Sequence, residues 1–358
     1  LEKEAARLYL ESRLAEVKAL NATLVQTYEE IDGILSAALE ADNYVDLESL
    51  KIVVEHPPFD QGLDGIPTPP MPELVYPPEP VYSEPPKSSG LFFSEKKHAK
   101  QIAQAQASHV QARSAWEAKN IAMYEAHIAE SKRREEVERG RLERLAAREF
   151  RYKFECDQRE ADAAVRNSEL TKLINDLAFD VESAIQEYVG IVLSNSVYPE
   201  TFPVEYDHAF DLSTRELTLT VIVPEPSAIP AIKEYRYVKA RDEIAETSLS
   251  AKAQKDRYAG AVMQVAVRVL SEVFEADRSG KIHSISLTVG SDAISPATGQ
   301  ITSIPFVVAA ADRETFTQFD LANVVPQATL EHLGAAISKS PCDLTSADTS
   351  RGVRARKQ

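Results

Sequence analysis

Apolar residues recur near the start of the chain mainly in steps of three and four, at Leu10, Leu14, Val17, Leu24, Tyr28, Ile31, Leu35 and Ala38. Such spacing lines one side of an α-helix and predicts helix over residues 1–54. Written as heptads, Leu14, Asn21, Tyr28 and Leu35 share one seam position (a), and Leu10, Val17, Leu24, Ile31 and Ala38 share the other (d). Asn21 is the polar member, and a polar residue there costs stability while disfavouring other registers. The seam serves either a second copy of the chain, as a homo-oligomer, or another helix of the same chain.

The pattern then breaks. Residues 57–86 hold eleven of the twenty prolines, so neither helix nor inner strand persists across the 55–93 linker. An extended, polyproline-like strap is expected, with Phe59, Leu63, Ile66, Leu74, Val75 and Tyr82 lying along the helices. Residues 94–169 lack proline and are rich in Ala, Glu, Lys, Arg and Gln, which predicts a second helix of ~70 residues, ~105 Å long. Its early seam of Ile102, Ala105, Ala112, Trp116 and Met123 permits close approach. The first helix folding back on it would make an antiparallel coiled-coil arm.

Residues 170–344 read as a separate domain. Val204 to Leu212 and Arg215 to Val223 alternate apolar and polar positions around Ser213-Thr214, the signature of a β-hairpin. A third strand is expected at 234–239, a helix at 251–276, strands at 282–289 and 301–311, and a closing helix at 326–338. Pro305 places the last strand at an edge. The predicted class is α+β, a long helical arm followed by a mainly antiparallel sheet layered with helices. Residues 345–358 read as a disordered basic tail.

Charge and chemistry narrow the function. A net charge of −16 argues against a general nucleic-acid coat but leaves room for a local basic patch. Lys132 to Lys153 carries nine Lys/Arg against five Glu. It is either a solvated helix laced with ion pairs or a phosphate-contacting stripe. Arg133, Arg134, Arg141 and Arg144, with Lys239 and the tail residues Arg351, Arg354, Arg356 and Lys357, are the candidate nucleic-acid contacts. Two distant cysteines give no zinc or disulfide framework and fit a reducing cytoplasm. No apolar run reaches the ~20 residues of a membrane span. Walker A, GxGxxG, HExxH and GxSxG patterns are absent, so no cofactor is expected.

The charged run EYRYVKARDEI (234–244) raises the question of a metal-dependent nuclease. In a strand, Glu234 and Lys239 point to opposite faces, and Asp242-Glu243 lacks a following Lys at the required step. His208 and His283 fall on apolar strand faces, with Asp207 and Asp211 turned away, which makes them core histidines rather than a metal set.

Four stretches together, EYRYVKARDEI, VFEADRSGKIHSISL (273–287), SPATGQ (295–300) and FDLANVVPQATLEHLGAAISKSPCDL (319–344), resemble the region preceding the nuclease domain in Mrr-like restriction endonucleases, the restriction system proteins of bacteria. The resemblance extends to about Leu344. It implies a coiled-coil arm, a Pro-rich segment, this α+β domain, and then a PD-(D/E)xK nuclease domain. Here only SADTSRGVRARKQ follows, so the family's catalytic carboxylates and lysine have no matching positions. The expectation is a non-catalytic assembly or sensing component of an anti-phage DNA defence system, with DNA or a separate nuclease subunit as partner. The alternatives are a structural homo-oligomer without a nucleic-acid role, and a fragment of a full-length Mg²⁺-dependent endonuclease.

Overall fold

The computed structural model describes residues 2–87, 95–294 and 299–350. The chain divides into two compact units, residues 52–166 and residues 1–51 with 167–358. One helix, α3 (Glu95–Ala178), contributes to both. Its 84 residues span about 126 Å at 1.5 Å per residue. It contains no proline, and Gly140 is carried without a break. It ends where Asp180 takes a left-handed conformation with φ 55°.

In the 52–166 unit, half-buried positions on α3 recur in threes and fours, at Ile102, Ala105, His109, Trp116, Asn120, Met123 and His127. The proline-rich segment covers this seam. Polyproline II backbone leaves its carbonyls without internal partners, and α3 supplies them from its side chains. Trp116 donates Nε1–H to the Pro77 carbonyl at 2.8 Å, and the His109 ring meets that of Pro80 at 3.0 Å. Arg134 donates to Pro69 and Pro70, and the Tyr152 hydroxyl to Pro57 at 2.7 Å. Phe59 packs on Tyr152 and Tyr82 on His109, with ring centroids 5.3 and 5.6 Å apart. The strap therefore runs antiparallel to α3. From Pro57 to Pro80 it follows the helix from Tyr152 back to His109, about 2.8 Å per strap residue, close to the ~3.1 Å of polyproline II.

The α+β class with its long helical arm holds. The partner on the arm's seam differs from the expected one: α1 (Glu2–Asp32) does not form the antiparallel coiled coil, and packs instead on β3 (Ile232–Val238) and α5 (Ala251–Ala276). Both options satisfy a three-four seam. A proline strap does so without a second helix.

In the other unit, the helix expected over 1–54 is interrupted at Gly33 and stops early, as α1 and then α2 (Ile34–Leu39), and α3 is followed by α4 (Glu182–Ser194). A five-stranded sheet has the order β1-β2-β5-β6-β7, from β1 (Glu205–Asp211), β2 (Glu216–Ile222), β5 (Ser284–Ile294), β6 (Ile301–Asp312) and β7 (Ala336–Ile337). Every pairing is antiparallel except β2–β5. The long return through α5 brings β5 back parallel to β2, as a parallel pair requires. Leu217, Leu219 and Val221 on β2 and Ile285, Leu287 and Val289 on β5 are fully buried in one core with Tyr258, Val262, Val265 and Val269 of α5. Ser250 caps α5, its hydroxyl accepting the Ala253 N–H.

Three expectations are corrected here. Pro305 is not on a bare edge, because β7 pairs with β6; but β7 reaches only Val307 and Val308, and Pro305 lies beyond it at a bulge opposite Gly290. A Cβ on Gly290 would stand 2.5 Å from the Ile304 carbonyl oxygen, so this bulge requires glycine. The closing helix is shorter, α7 (Pro326–His332), and Gly334 at φ +72° turns the chain into β7. His283 precedes β5 and is exposed, outside the core that buries Ile282 and Ile285.

Trp116, the sole tryptophan, reports on the strap. Arg141 and then Thr68 bind Glu138, holding its carboxyl down at about 2, and Arg133 and Arg134 do the same for Glu130. A carboxyl depressed by folding stabilises above its unfolded value, and that contribution is lost as pH falls through the folded one. Trp116 emission should stay constant above about pH 5 and shift red between about 4.5 and about 2. Emission unchanged to the bottom of that window would show that these carboxylates do not hold the strap.

Candidate functional site

EYRYVKARDEI forms a second, two-stranded sheet, β3 with β4 (Glu243–Ser248), turning at Asp242 with φ 51°. An isolated hairpin is marginal in water, and this one is docked on α1. Asn21 donates its side-chain amide to the Tyr235 carbonyl at 2.9 Å and accepts the Tyr235 N–H at 2.8 Å, as a neighbouring strand would. One heptad later, the Tyr28 hydroxyl lies between the carbonyls of Ile232 and Pro230, 2.8 Å from the latter. Arg257 stacks 3.8 Å from the centre of the Tyr28 ring and pairs with Asp32. Burial pushes the Tyr28 hydroxyl up despite that cation. At the hairpin tip, Tyr237 and Tyr9 donate to the two oxygens of Asp242, keeping its carboxyl below the usual range.

The seam offered to a second copy is thus engaged within the chain. Asn21 and Tyr28 satisfy the edge of β3, and Leu35 is buried in the core with its N–H donating to Gln264. Leu14, lying N-terminal to these contacts, is exposed.

No carboxylates converge in this stretch. Glu234 pairs with Arg236, Arg241 with Glu243 at 2.9 Å, and Asp242 is taken by the two tyrosines. His208 meets the Gln186 carbonyl at 2.9 Å, while Asp211 accepts from Ser213 in the β1–β2 turn. Among the described residues, no group of three or more His, Cys, Asp and Glu is placed to hold a metal ion. None of the described helices is long and apolar enough to cross a membrane.

The basic candidates fall into three sets. Arg134 and Arg141 bind strap carbonyls, Arg141 at Asp64, and are largely covered. Arg144 reaches the Asp64 carboxylate at 3.0 Å yet remains 62% exposed, and Arg133, paired with Glu130, is 72% exposed. Lys239, at the hairpin tip, is exposed. Arg351, Arg354, Arg356 and Lys357 lie outside the described residues. Of the arginines that the charge count groups together, Arg134 and Arg141 fasten the strap, Arg144 does so while remaining largely exposed, and Arg133 faces outward.

Two arginine centres, Arg268 buried and Arg313 half-buried, escaped the sequence. Arg268 on α5, 4% exposed, donates to Glu272 at 2.7 Å, to the Ile34 and Val197 carbonyls and to Ser196, and lies 4.0 Å from the centre of the Tyr198 ring. Burial pushes the nearby Tyr206 hydroxyl up to about 12 and Tyr198 further. Arg313 closes the α5–β5 corner, donating to the Phe274 and Ile282 carbonyls and pairing with Asp277. Asp277 accepts in turn from the Lys281 and Ile282 amides. Both centres are fastenings rather than chemistry. An open groove of about 810 Å³ between α2, α5 and the 321–327 segment is lined by Leu35, Leu39, Met263 and Val324. It also carries Asp32, Glu40 and Asp256, which suits an apolar or basic ligand better than a phosphate.

Replacing Asn21 by Leu removes both bonds to Tyr235 and leaves its N–H and C=O unpaired, a loss of ~1–3 kcal/mol. The Tyr235 amide should exchange faster in hydrogen-exchange measurements, with the oligomeric state unchanged by light scattering. A changed oligomeric state would return Asn21 to an interchain seam.

No family model, no curated protein and no solved structure matches the chain.

Proposed function

We propose that the chain is a non-catalytic assembly component of an Mrr-like restriction system. In this reading the strapped helix is a stiff spacer, and the α+β unit is a docking platform for DNA or for a separate nuclease subunit. The observation that carries it is the strap. A proline segment that satisfies its carbonyls on α3 stiffens a helix that a lone seam would leave unpartnered. Such stiffness serves spacing rather than turnover.

The family-like stretches support the same reading by their position. EYRYVKARDEI is the docked hairpin, VFEADRSGKIHSISL is the corner closed by Arg313 and Asp277, and residues 319–344 pack α7 and the following turn against α5. SPATGQ falls largely outside the described residues. The other three stretches belong to the platform and its fastenings. DNA contact, if made through the arm, falls to the outward cation Arg133, with Lys239 on the hairpin.

Fluorescence anisotropy with duplex DNA at several salt concentrations tests this. Combined Arg133→Glu and Lys239→Glu should weaken binding several-fold and flatten the log–log salt slope by ~0.9 for each phosphate left without its cation, with Trp116 emission confirming an intact strap. Unchanged affinity and slope would remove DNA from the arm. Mg²⁺-dependent cleavage of plasmid by the purified chain would remove the non-catalytic assignment.

A further inference from the structure

The strap keeps one edge on α3 and turns two outward. From Gly65 to Pro80 every third residue is half-buried, at Gly65, Thr68, Met71, Leu74, Pro77 and Pro80, and the residues between them are exposed. A polyproline II chain has three residues per turn, so successive side chains leave it ~120° apart. The two free edges therefore flank the direction that points straight away from the helix. One is apolar throughout, formed by Ile66, Pro69, Pro72, Val75, Pro78 and Val81, and Ile66, Val75 and Val81 are 65, 75 and 89% exposed. The other runs through Pro67, Pro70, Glu73, Tyr76, Glu79 and Tyr82.

We propose that residues 66–70, IPTPP, are read in place on α3 by a partner domain whose groove is lined with aromatic side chains. Such grooves take two edges of a polyproline II ligand, as successive pairs that end in proline, and leave the third edge outside. Ile66-Pro67 and Pro69-Pro70 are two such pairs, one turn apart. Their spacer, Thr68, is the residue a groove leaves outside, and it is the one that α3 holds: its N–H and hydroxyl donate to Glu138 at 3.2 and 2.7 Å. Arg134 takes the Pro69 and Pro70 carbonyls, so the rings rather than the carbonyls are on offer. The segment is already extended and fastened, and little ordering entropy remains to be lost on binding.

The chemistry of the two edges selects this partner. A strand added alongside would find no amide donor at Pro67, Pro69 or Pro70. A nucleic acid would meet Glu73 and Glu79, with no lysine or arginine on either free edge. A second arm of this chain has its proline-binding groups, His109, Trp116 and Tyr152, committed to its own strap. Glu73 is exposed and stands one turn beyond Pro70 on the same edge. The complementary groove therefore carries a lysine or arginine beside its second slot.

This surface goes beyond the restriction-system reading and does not depend on it, because the probe is a protein domain and not DNA. The probe is an isotope-labelled SH3 domain with lysines substituted for the acidic residues beside its aromatic groove, compared with its unaltered parent. On addition of the full chain, the groove amides of the lysine form should shift in heteronuclear NMR, and its affinity should exceed the parent's several-fold. Pro67→Ala with Pro70→Ala should weaken binding by more than ~tenfold. Ile66→Glu, which leaves both prolines and Thr68 in place, should do the same. Fluorotryptophan incorporated at Trp116, the sole tryptophan, should keep its fluorine resonance in the complex and in the Ile66→Glu variant, because the strap stays on α3. No groove shifts with either domain, no preference for the lysine form, binding indifferent to Ile66→Glu, or a Trp116 resonance displaced on binding would each overturn the proposal.

Discussion

Both units rest on the same constraint: a backbone carbonyl or amide without a partner in its own element must find one, and here helix side chains supply it. Along the strap, proline removes donors and polyproline geometry turns carbonyls outward, and Trp116, Arg134, Arg141 and Tyr152 of α3 meet them. At the hairpin, Asn21 and Tyr28 of α1 do the same for the open edge of β3. Arg268 and Arg313 repeat the pattern in the interior, each binding two main-chain carbonyls. An unmet buried carbonyl costs about as much as a lost hydrogen bond, so Arg268 is not interchangeable with an apolar residue of similar size, whereas the exposed strap carbonyls met by Arg134 and Tyr152 are also open to water.

This constraint changes the meaning of heptad spacing. On α1 and α3 alike, residues three and four apart form a covered seam, yet that of α3 faces a proline strap and that of α1 faces the edge of β3 as well as the helix α5. A seam facing helix wants apolar knobs. A seam facing strap or strand edge wants residues with an apolar body and a polar end, and Trp116, Tyr152, Tyr28 and Asn21 are of that kind or simply polar. Asn21 reads as a register-setting residue in a coiled coil, but its side chain is used as a one-residue substitute for a strand.

What the sequence displayed and what it hid follow from the same distinction. The bounds of α5 stood out because apolar period, the Ser250 cap and a following turn coincide in one stretch. The β1–β2 hairpin was legible from strict alternation, and α3 from the absence of proline, although the helix expected to end at 169 runs on to Ala178. The partner of each seam was not legible, since periodicity shows that a face is covered and not by what. Two-residue β7 lies below any periodic signal, and the parallel β2–β5 pairing depends on where a 26-residue helix returns the chain. The Arg268–Glu272 pair on α5 carried the spacing of an ordinary surface ion pair, and only the tertiary fold buries it. For the candidate site, EYRYVKARDEI could be cleared of nuclease geometry from spacing alone, whereas its docking on a helix 214 residues earlier could not be foreseen.

Strapping also alters what the arm can offer to others. An 84-residue helix with a single apolar seam would hide it by pairing with another chain and would have little left to display. Because the proline segment takes the seam, α3 is free to present other faces, and its charged residues sort accordingly. Arg134 and Arg141 turn inward to the strap, Arg144 reaches it while remaining largely exposed, and Arg133 turns outward. The basic run is thus partly consumed by the chain's own architecture. A charge count over Lys132 to Lys153 overstates the positive potential available to a polyanion, since Glu130, Glu138 and Asp64 neutralise it from within. Any recognition along the arm has to be read from the outer edges of the strap and from the faces that it leaves uncovered.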